Sequence, residues 1–137
     1  MSTAHPSTRI VPYLVYEDAP AAIEFLVKAF GFVERMRFMM DDGRVGHAEL
    51  TLDGHAIYLA SAYSELGFAS PRDLGGIHTQ LLCYVEDVDA HFARARDAGA
   101  TVIAEPYEDH GSRMYRAVDT ETGRWIFATE IEAEAER

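Results

Sequence analysis

The chain is one structural unit written twice. Its first half runs IVPYLVYEDAPAAIEFLVKAFGF, then a polar turn, then GRVGHAELTLDGHAIYLA. Its second half runs HTQLLCYVEDVDAHFARARDAGATV, then a turn, then GSRMYRAVDTETGRWIFATE. Asp18 corresponds to Asp87 and Gly54 to Gly123, both 69 positions on, whereas Gly31 and Gly99 match at 68. Such a duplication restricts the chain to two similar modules packed together. A module of about 55 residues with one open sheet face is rarely stable alone.

Each half carries the same local signals. Ile10 to Tyr16 and His78 to Val85 are rich in β-branched and aromatic residues and read as strands. Asp18 and Asp87 are then placed as helix N-caps. Ala22, Ile23, Phe25, Leu26 and Phe30 form an apolar stripe at helical spacing, and Val88, Phe92 and Ala95 repeat it more weakly. Gly31 and Gly99 suit the left-handed position that ends a helix. Three short strands follow in each half, with hairpin signals at Asp42-Gly43, Asp53-Gly54 and Thr122-Gly123.

The expected class is α+β, a single domain of two βαβββ modules. Module one spans about residues 9–61, a connector 62–77, and module two about 78–131. The connector carries Gly67, Pro71, Gly75 and Gly76, but also Tyr63, Leu66, Phe68 and Leu74. It is too apolar for a free linker and is expected to pack over an open edge or a cleft mouth.

Composition narrows the partners. A net charge of −11 argues against nucleic acid, which needs clustered Lys and Arg. Part of that charge sits in the tail Glu130 to Arg137, read as a solvated end. No apolar run approaches the roughly 20 residues of a membrane span. Met1 to Thr8 has no apolar signal core, and the lone Cys83 fits a reducing compartment, so a cytoplasmic location is expected.

Several ordered motifs point further: Val15-Tyr16-Glu17-Asp18 with Ala29-Phe30-Gly31, and His47-Ala48-Glu49-Leu50 after an Asp-Gly turn. In the second half come Tyr84-Val85-Glu86-Asp87-Val88-Asp89, Ala98-Gly99-Ala100 and Gly123-Arg124-Trp125. On a duplicated framework, this set resembles the glyoxalase and bleomycin-resistance family of the vicinal-oxygen-chelate superfamily, over roughly residues 9–131. The resemblance implies sheets curled into half-barrels, whose paired modules enclose a cleft usually completed in a homodimer, often by module exchange. It does not by itself imply an activity, because the superfamily holds metal-dependent enzymes and metal-free binders alike.

The resemblance also implies where metalloenzymes of the family place their ligands. Counting from the aspartates and glycines, those positions fall on Val11, Glu49, Gln80 and Phe127. Valine and phenylalanine cannot coordinate an ion, Gln80 is a weak donor, and one good ligand is left where three or four are needed. The usual metal site is therefore expected to be absent. An alternative keeps a metal-dependent lyase, isomerase or dioxygenase, using His47, Glu49 and His78 if their strands come together. His5, His55, His91 and His110 read as solvated residues of termini, turns or a helix surface.

Strand alternation gives the expected cleft lining. From module one it contains Val11, Tyr13, Val15, His47, Glu49, Ala56 and Tyr58. From module two it contains His78, Gln80, Leu82, Tyr115, Trp125 and Phe127. The candidate ligand-binding residues are Tyr13, His47, Glu49, Tyr58, His78, Gln80, Tyr115, Trp125 and Phe127, with Trp125 the first choice for stacking. Arg113 and Arg116 read as rim, and Cys83 as facing away. No catalytic motif is evident, although Glu49 could act as a general base if buried. The expected function is metal-free binding, without a cofactor, of a small aromatic molecule by a bacterial homodimer. The resemblance implies sequestration of an antibiotic, the usual job of family members that lack the metal.

Overall fold

The computed structural model describes residues 8–131, so His5 and the acidic tail beyond Ile131 lie outside the described residues. Module one consists of β1 (Tyr13–Tyr16), α1 (Ala19–Phe30), β2 (Val33–Met39), β3 (Val45–Leu52) and β4 (His55–Ser61). Module two repeats it as β5 (Gln80–Tyr84), α2 (Val88–Asp97), β6 (Thr101–Asp109), β7 (Ser112–Val118) and β8 (Arg124–Glu130). The sheets have matching orders, β1-β4-β3-β2 and β5-β8-β7-β6, with the first pair parallel and the rest antiparallel. The class is α+β, two curled half-barrel sheets with two helices. Among the described residues no helix is long and apolar enough to cross a membrane.

The caps form as expected. Asp18 accepts from the Ala21 N–H and Asp87 from the Ala90 N–H, both at 3.1 Å. Pro20 opens α1, where its missing N–H costs nothing. Gly31 ends it at φ 86°, its N–H returning to the Leu26 carbonyl. The first strands are shorter than expected, starting at Tyr13 and Gln80.

Module two holds α1 at both ends. At the N-terminus, the Glu121 carboxylate accepts from the N–H groups of Glu17 and Asp18 at 2.6 and 2.7 Å. At the C-terminus, the Arg94 guanidinium donates to the carbonyls of Lys28 and Val27 at 3.1 and 3.2 Å. An acid at the start and a base at the end match the helix dipole and satisfy groups the helix leaves unpaired. A Cβ on Gly31 would come within 3.2 Å of Arg94, so this glycine is required for space as well as for its backbone angle.

One core lies on the helix side of both sheets. Leu50, Leu59 and Tyr16 from module one join Tyr115, Trp125 and Phe127 from module two, around Leu26 and Phe30 of α1. Phe30 sits 4.8 Å from Phe127 and 5.4 Å from Trp125, ring centre to ring centre, so the first helix packs directly on the second sheet.

His91 corrects the expectation of a solvated histidine. It is half-buried, its Nε2 donating to the Phe30 carbonyl at 2.8 Å and its Nδ1 facing the Tyr115 hydroxyl at 2.6 Å. Burial lowers its pKa, Arg94 adds to this, and the Phe30 carbonyl opposes it. A lowered folded value means the unfolded chain takes up the proton first. The stability tied to neutral His91 is therefore fully present above about pH 6.5 and lost as pH falls from there through the folded value. Melting temperatures of wild type and His91→Gln, compared between pH 7.5 and 5, should converge as the wild type loses this contribution. A difference that stays constant would contradict the assignment.

Candidate functional site

The face of each sheet away from the helices is open, and hairpin register decides what it carries. In module one, Asp53 and Gly54 form a two-residue turn, both with positive φ, and β3 pairs with β4 from Leu52 to His55. That fixes Tyr13, Tyr58 and Glu49 in one cross-strand row, since Tyr13 pairs with Tyr58 and Tyr58 with Glu49. His47 stands two residues from Glu49 on the same face.

Tyr13, His47 and Glu49 make one hydrogen-bonded chain, against which the Tyr58 ring packs. The Tyr13 hydroxyl bonds His47 Nδ1, and His47 Nε2 donates to Glu49 Oε2 at 2.8 Å. The Tyr58 hydroxyl accepts from Arg9 at 3.3 Å. The ring centres of Tyr13, His47 and Tyr58 lie 5.0 to 5.6 Å apart, with Tyr58 edge-on to both neighbours. Burial, then the nearby Glu49 and Tyr58, raise the Tyr13 pKa, so its phenol keeps its proton. With Nε2–H committed to Glu49, Nδ1 is the acceptor for that proton, and the Tyr13 oxygen offers lone pairs to the cleft. Glu49 stays about one-third exposed with an oxygen taken by His47, so it is not the buried lone base considered above.

Module two departs from the expected register. Tyr115, Trp125 and Phe127 do not face the cleft; they are 0, 2 and 0% exposed and belong to the helix-side core. The cause is the β7–β8 connection. Thr122-Gly123 is not a two-residue turn: β7 pairs with β8 from Val118 to Arg124, across the five residues Asp119 to Gly123. Thr122 takes the left-handed conformation at φ 67°, whereas Gly123 is small because the Asp119 carboxylate fills the place of a Cβ. Aligning Gly123 with Gly54 therefore shifts β8 by one residue, and one residue exchanges the faces of a strand.

The open face of module two carries Gln80, Leu82, Arg116 and Ile126 instead. Ile126, not Phe127, is the counterpart of Tyr58, since it pairs with Leu82 as Tyr58 pairs with Tyr13. Arg116, read above as rim, donates to the Tyr107 hydroxyl at 2.8 Å and to Gln80 Oε1 at 3.4 Å. Sequence reasoning missed Tyr107 and Arg116 as site residues. The signal was the repeat itself, had Thr122 been matched to Gly54. Cys83 faces the core as expected, and burial pushes its thiol up to about 11.

Between the inner strands β1 and β5 lies a cavity of about 210 Å³, whose lining includes Tyr13, His78, Gln80 and the buried Trp125. The connector closes it with Pro71, Leu74 and Ile77, as expected of an apolar segment. Its buried Ser70 donates to Glu121 at 2.5 Å, tying the connector to the α1 clamp.

The structure brings Tyr13, His47, Glu49 and Tyr58 together, sets His78 and Gln80 beside Tyr13 in the seam, and withdraws Tyr115 and Phe127 into the core, where Trp125 also packs while bordering the cavity. Among the described residues no three His, Cys, Asp or Glu side chains converge to hold a metal, so His78 does not join His47 and Glu49. The corrected register leaves the donor set of the family's metalloenzymes equally unfit, because Ile126 replaces Phe127 and neither has a lone pair to give.

Two βαβββ modules, each a four-strand sheet curled into a half-barrel beside one helix, define the fold class. The chain belongs to the Glyoxalase/Bleomycin resistance protein/Dioxygenase superfamily, whose sequence profile matches residues 7–127. It is 41% identical over 95 residues to an uncharacterised protein of Mycobacterium bovis, covering 67% of this chain and 62% of that one. An uncharacterised protein of Mycobacterium tuberculosis H37Rv is also 41% identical over 95 residues, covering 67% of this chain and 56% of the relative. The match thus spans less than two thirds of these relatives' length. The crystal structure of TioX from Micromonospora sp. ML1 superposes with a TM-score of 0.70 at 30% identity, covering 92% of this chain and 98% of that one.

Proposed function

We propose that this protein binds a small planar aromatic molecule, an antibiotic that it sequesters unchanged, without using a metal, in clefts completed by a second copy of the chain. The observation that carries the reading is the Tyr13–His47–Tyr58 ring cluster, ordered by Glu49 and Arg9 on an open sheet face. Flat rings held in place give large contact area at low entropic cost, with polar atoms left to orient the ligand. The superfamily's name, which includes bleomycin resistance, supports the antibiotic class. A second copy is supported by the large apolar side chains on the open faces: Phe38, Tyr84, Tyr13 and Leu82 are 60, 57, 52 and 50% exposed. Side chains of this size clustered on a sheet face favour burial by a partner surface.

The test is calorimetric titration of the purified protein with a panel of aromatic antibiotics, with recovery of the bound compound and metal analysis of protein prepared without chelator. The expected result is micromolar or tighter binding of one compound, recovered intact, to a dimer by sedimentation. Tyr58→Ala should weaken that binding about tenfold or more, as loss of a central aromatic contact does. Conversion of the compound to a product, or stoichiometric zinc, nickel, iron or manganese, would replace the binding reading with an enzymatic one.

A further inference from the structure

We propose that Arg116 is an anchoring site for a carboxylate on the ligand, so that the molecule bound is a planar aromatic acid. The inference rests on the aromatic-ligand reading above and names the chemistry of its polar end.

Arg116 lies on β7 with its side chain on the open face, next to Ile126 and across from Gln80. It is half-buried there, and two neutral groups fix it: Tyr107 at Nε and Gln80 at Nη1. Among the described residues no carboxylate lies within salt-bridge distance of it, and its Nη2 has no hydrogen-bond partner. Four other arginines pair with a carboxylate, and of those without one among the described residues Arg116 alone is half-buried rather than exposed. Arg37 pairs with Glu34, Arg44 with Asp42, Arg96 with Asp97 and Arg113 with Asp89. Neutral partners orient the guanidinium while leaving its charge unspent, and a planar fork so placed matches a carboxylate.

The repeat strengthens the point. Glu49 pairs with Tyr58, which pairs with Tyr13; Arg116 pairs with Ile126, which pairs with Leu82. Arg116 therefore occupies in module two the place Glu49 holds in module one. In module one the acid is answered by His47 within the chain. In module two the base is left for something else. The net charge of −11 would disfavour anions at long range, but that field is screened beyond about 10 Å in ordinary salt, whereas contact at Arg116 is not.

The test uses two probes that differ only at the polar end, 2-naphthoate and 2-naphthamide, titrated into the full-length protein at an ionic strength of about 0.1 M, where the field of the net charge is screened. Wild type should bind the acid at least tenfold more tightly than the amide. In Arg116→Gln that preference should collapse to within twofold, because the acid loses far more affinity than the amide. Arg116→Lys should keep part of it, because the charge remains while the fork is lost. A preference that survives in Arg116→Gln would place the anion site elsewhere. Equal binding of both probes by wild type would overturn the carboxylate inference and leave the aromatic-ligand reading standing. Binding of neither would remove that reading and the inference with it.

Discussion

Replacing Asp119 by alanine should lower the free energy of unfolding by about 3–5 kcal/mol, the cost of stranding several buried donors at once. The Asp119 carboxylate is 7% exposed and accepts from the Tyr16 hydroxyl at 2.6 Å and from Trp125 Nε1 at 2.9 Å. It also accepts from the backbone N–H groups of Glu121 and Gly123 at 2.9 and 2.8 Å. Burial and the carboxylate push the Tyr16 pKa upward, so its hydroxyl remains a donor that needs an acceptor. Alanine leaves two side-chain donors facing apolar surroundings and frees the loop that carries Glu121 to the start of α1. A melting temperature roughly 10–20 °C below wild type is expected at this chain length. Asp119→Asn should fall between the two, since its amide keeps one acceptor oxygen. A loss below 1 kcal/mol for alanine would mean that the loop is not a structural clamp.

Phe127→Glu should prevent folding, or cost more than about 4 kcal/mol, while Ile126→Glu is tolerated within about 2 kcal/mol. Removing a buried phenylalanine alone costs about 3–5 kcal/mol, and an unpaired carboxylate in its place adds a desolvation penalty. Phe127 is fully buried, stacked on Trp125 at 5.9 Å and packed on His91 at 4.1 Å, with no cation in that cluster. Ile126 is 8% exposed but lies outside the main core cluster, and its cross-strand neighbour Arg116 offers an introduced carboxylate a cation. Urea denaturation of both variants decides the register of β8. The reverse order of stabilities would put Phe127 back in the cleft and withdraw Arg116 from it.

Module one was legible because every local rule agreed. The Asp53-Gly54 dipeptide specifies a two-residue turn, that turn fixes the pairing of β3 with β4, and alternation then places Tyr13, His47, Glu49 and Tyr58 on one face. Module two broke at a single loop. Thr122 occupies a left-handed position where glycine is usual, and Gly123 supplies the glycine signal one residue late for a steric reason. Nothing local distinguishes a glycine required by its backbone angle from one required by a neighbouring carboxylate. The error was small along the chain and complete in space, turning Tyr115, Trp125 and Phe127 from cleft to core.

His91 and Arg94 mark the same boundary. On sequence they are polar residues of a short amphipathic helix; in the fold they close the C-terminal end of α1, more than 60 residues away. The sequence alone determined the duplicated βαβββ plan, the helix caps and the aromatic cluster of the first module, because these depend on residues a few positions apart or on strict alternation. Tertiary structure decided which face of β8 is buried, how the second module clamps the first helix, and that Arg116 stands beside Gln80 and Ile126 with no carboxylate of the described residues in salt-bridge reach. Those outcomes depend on contacts between distant segments, whose energies no local pattern encodes.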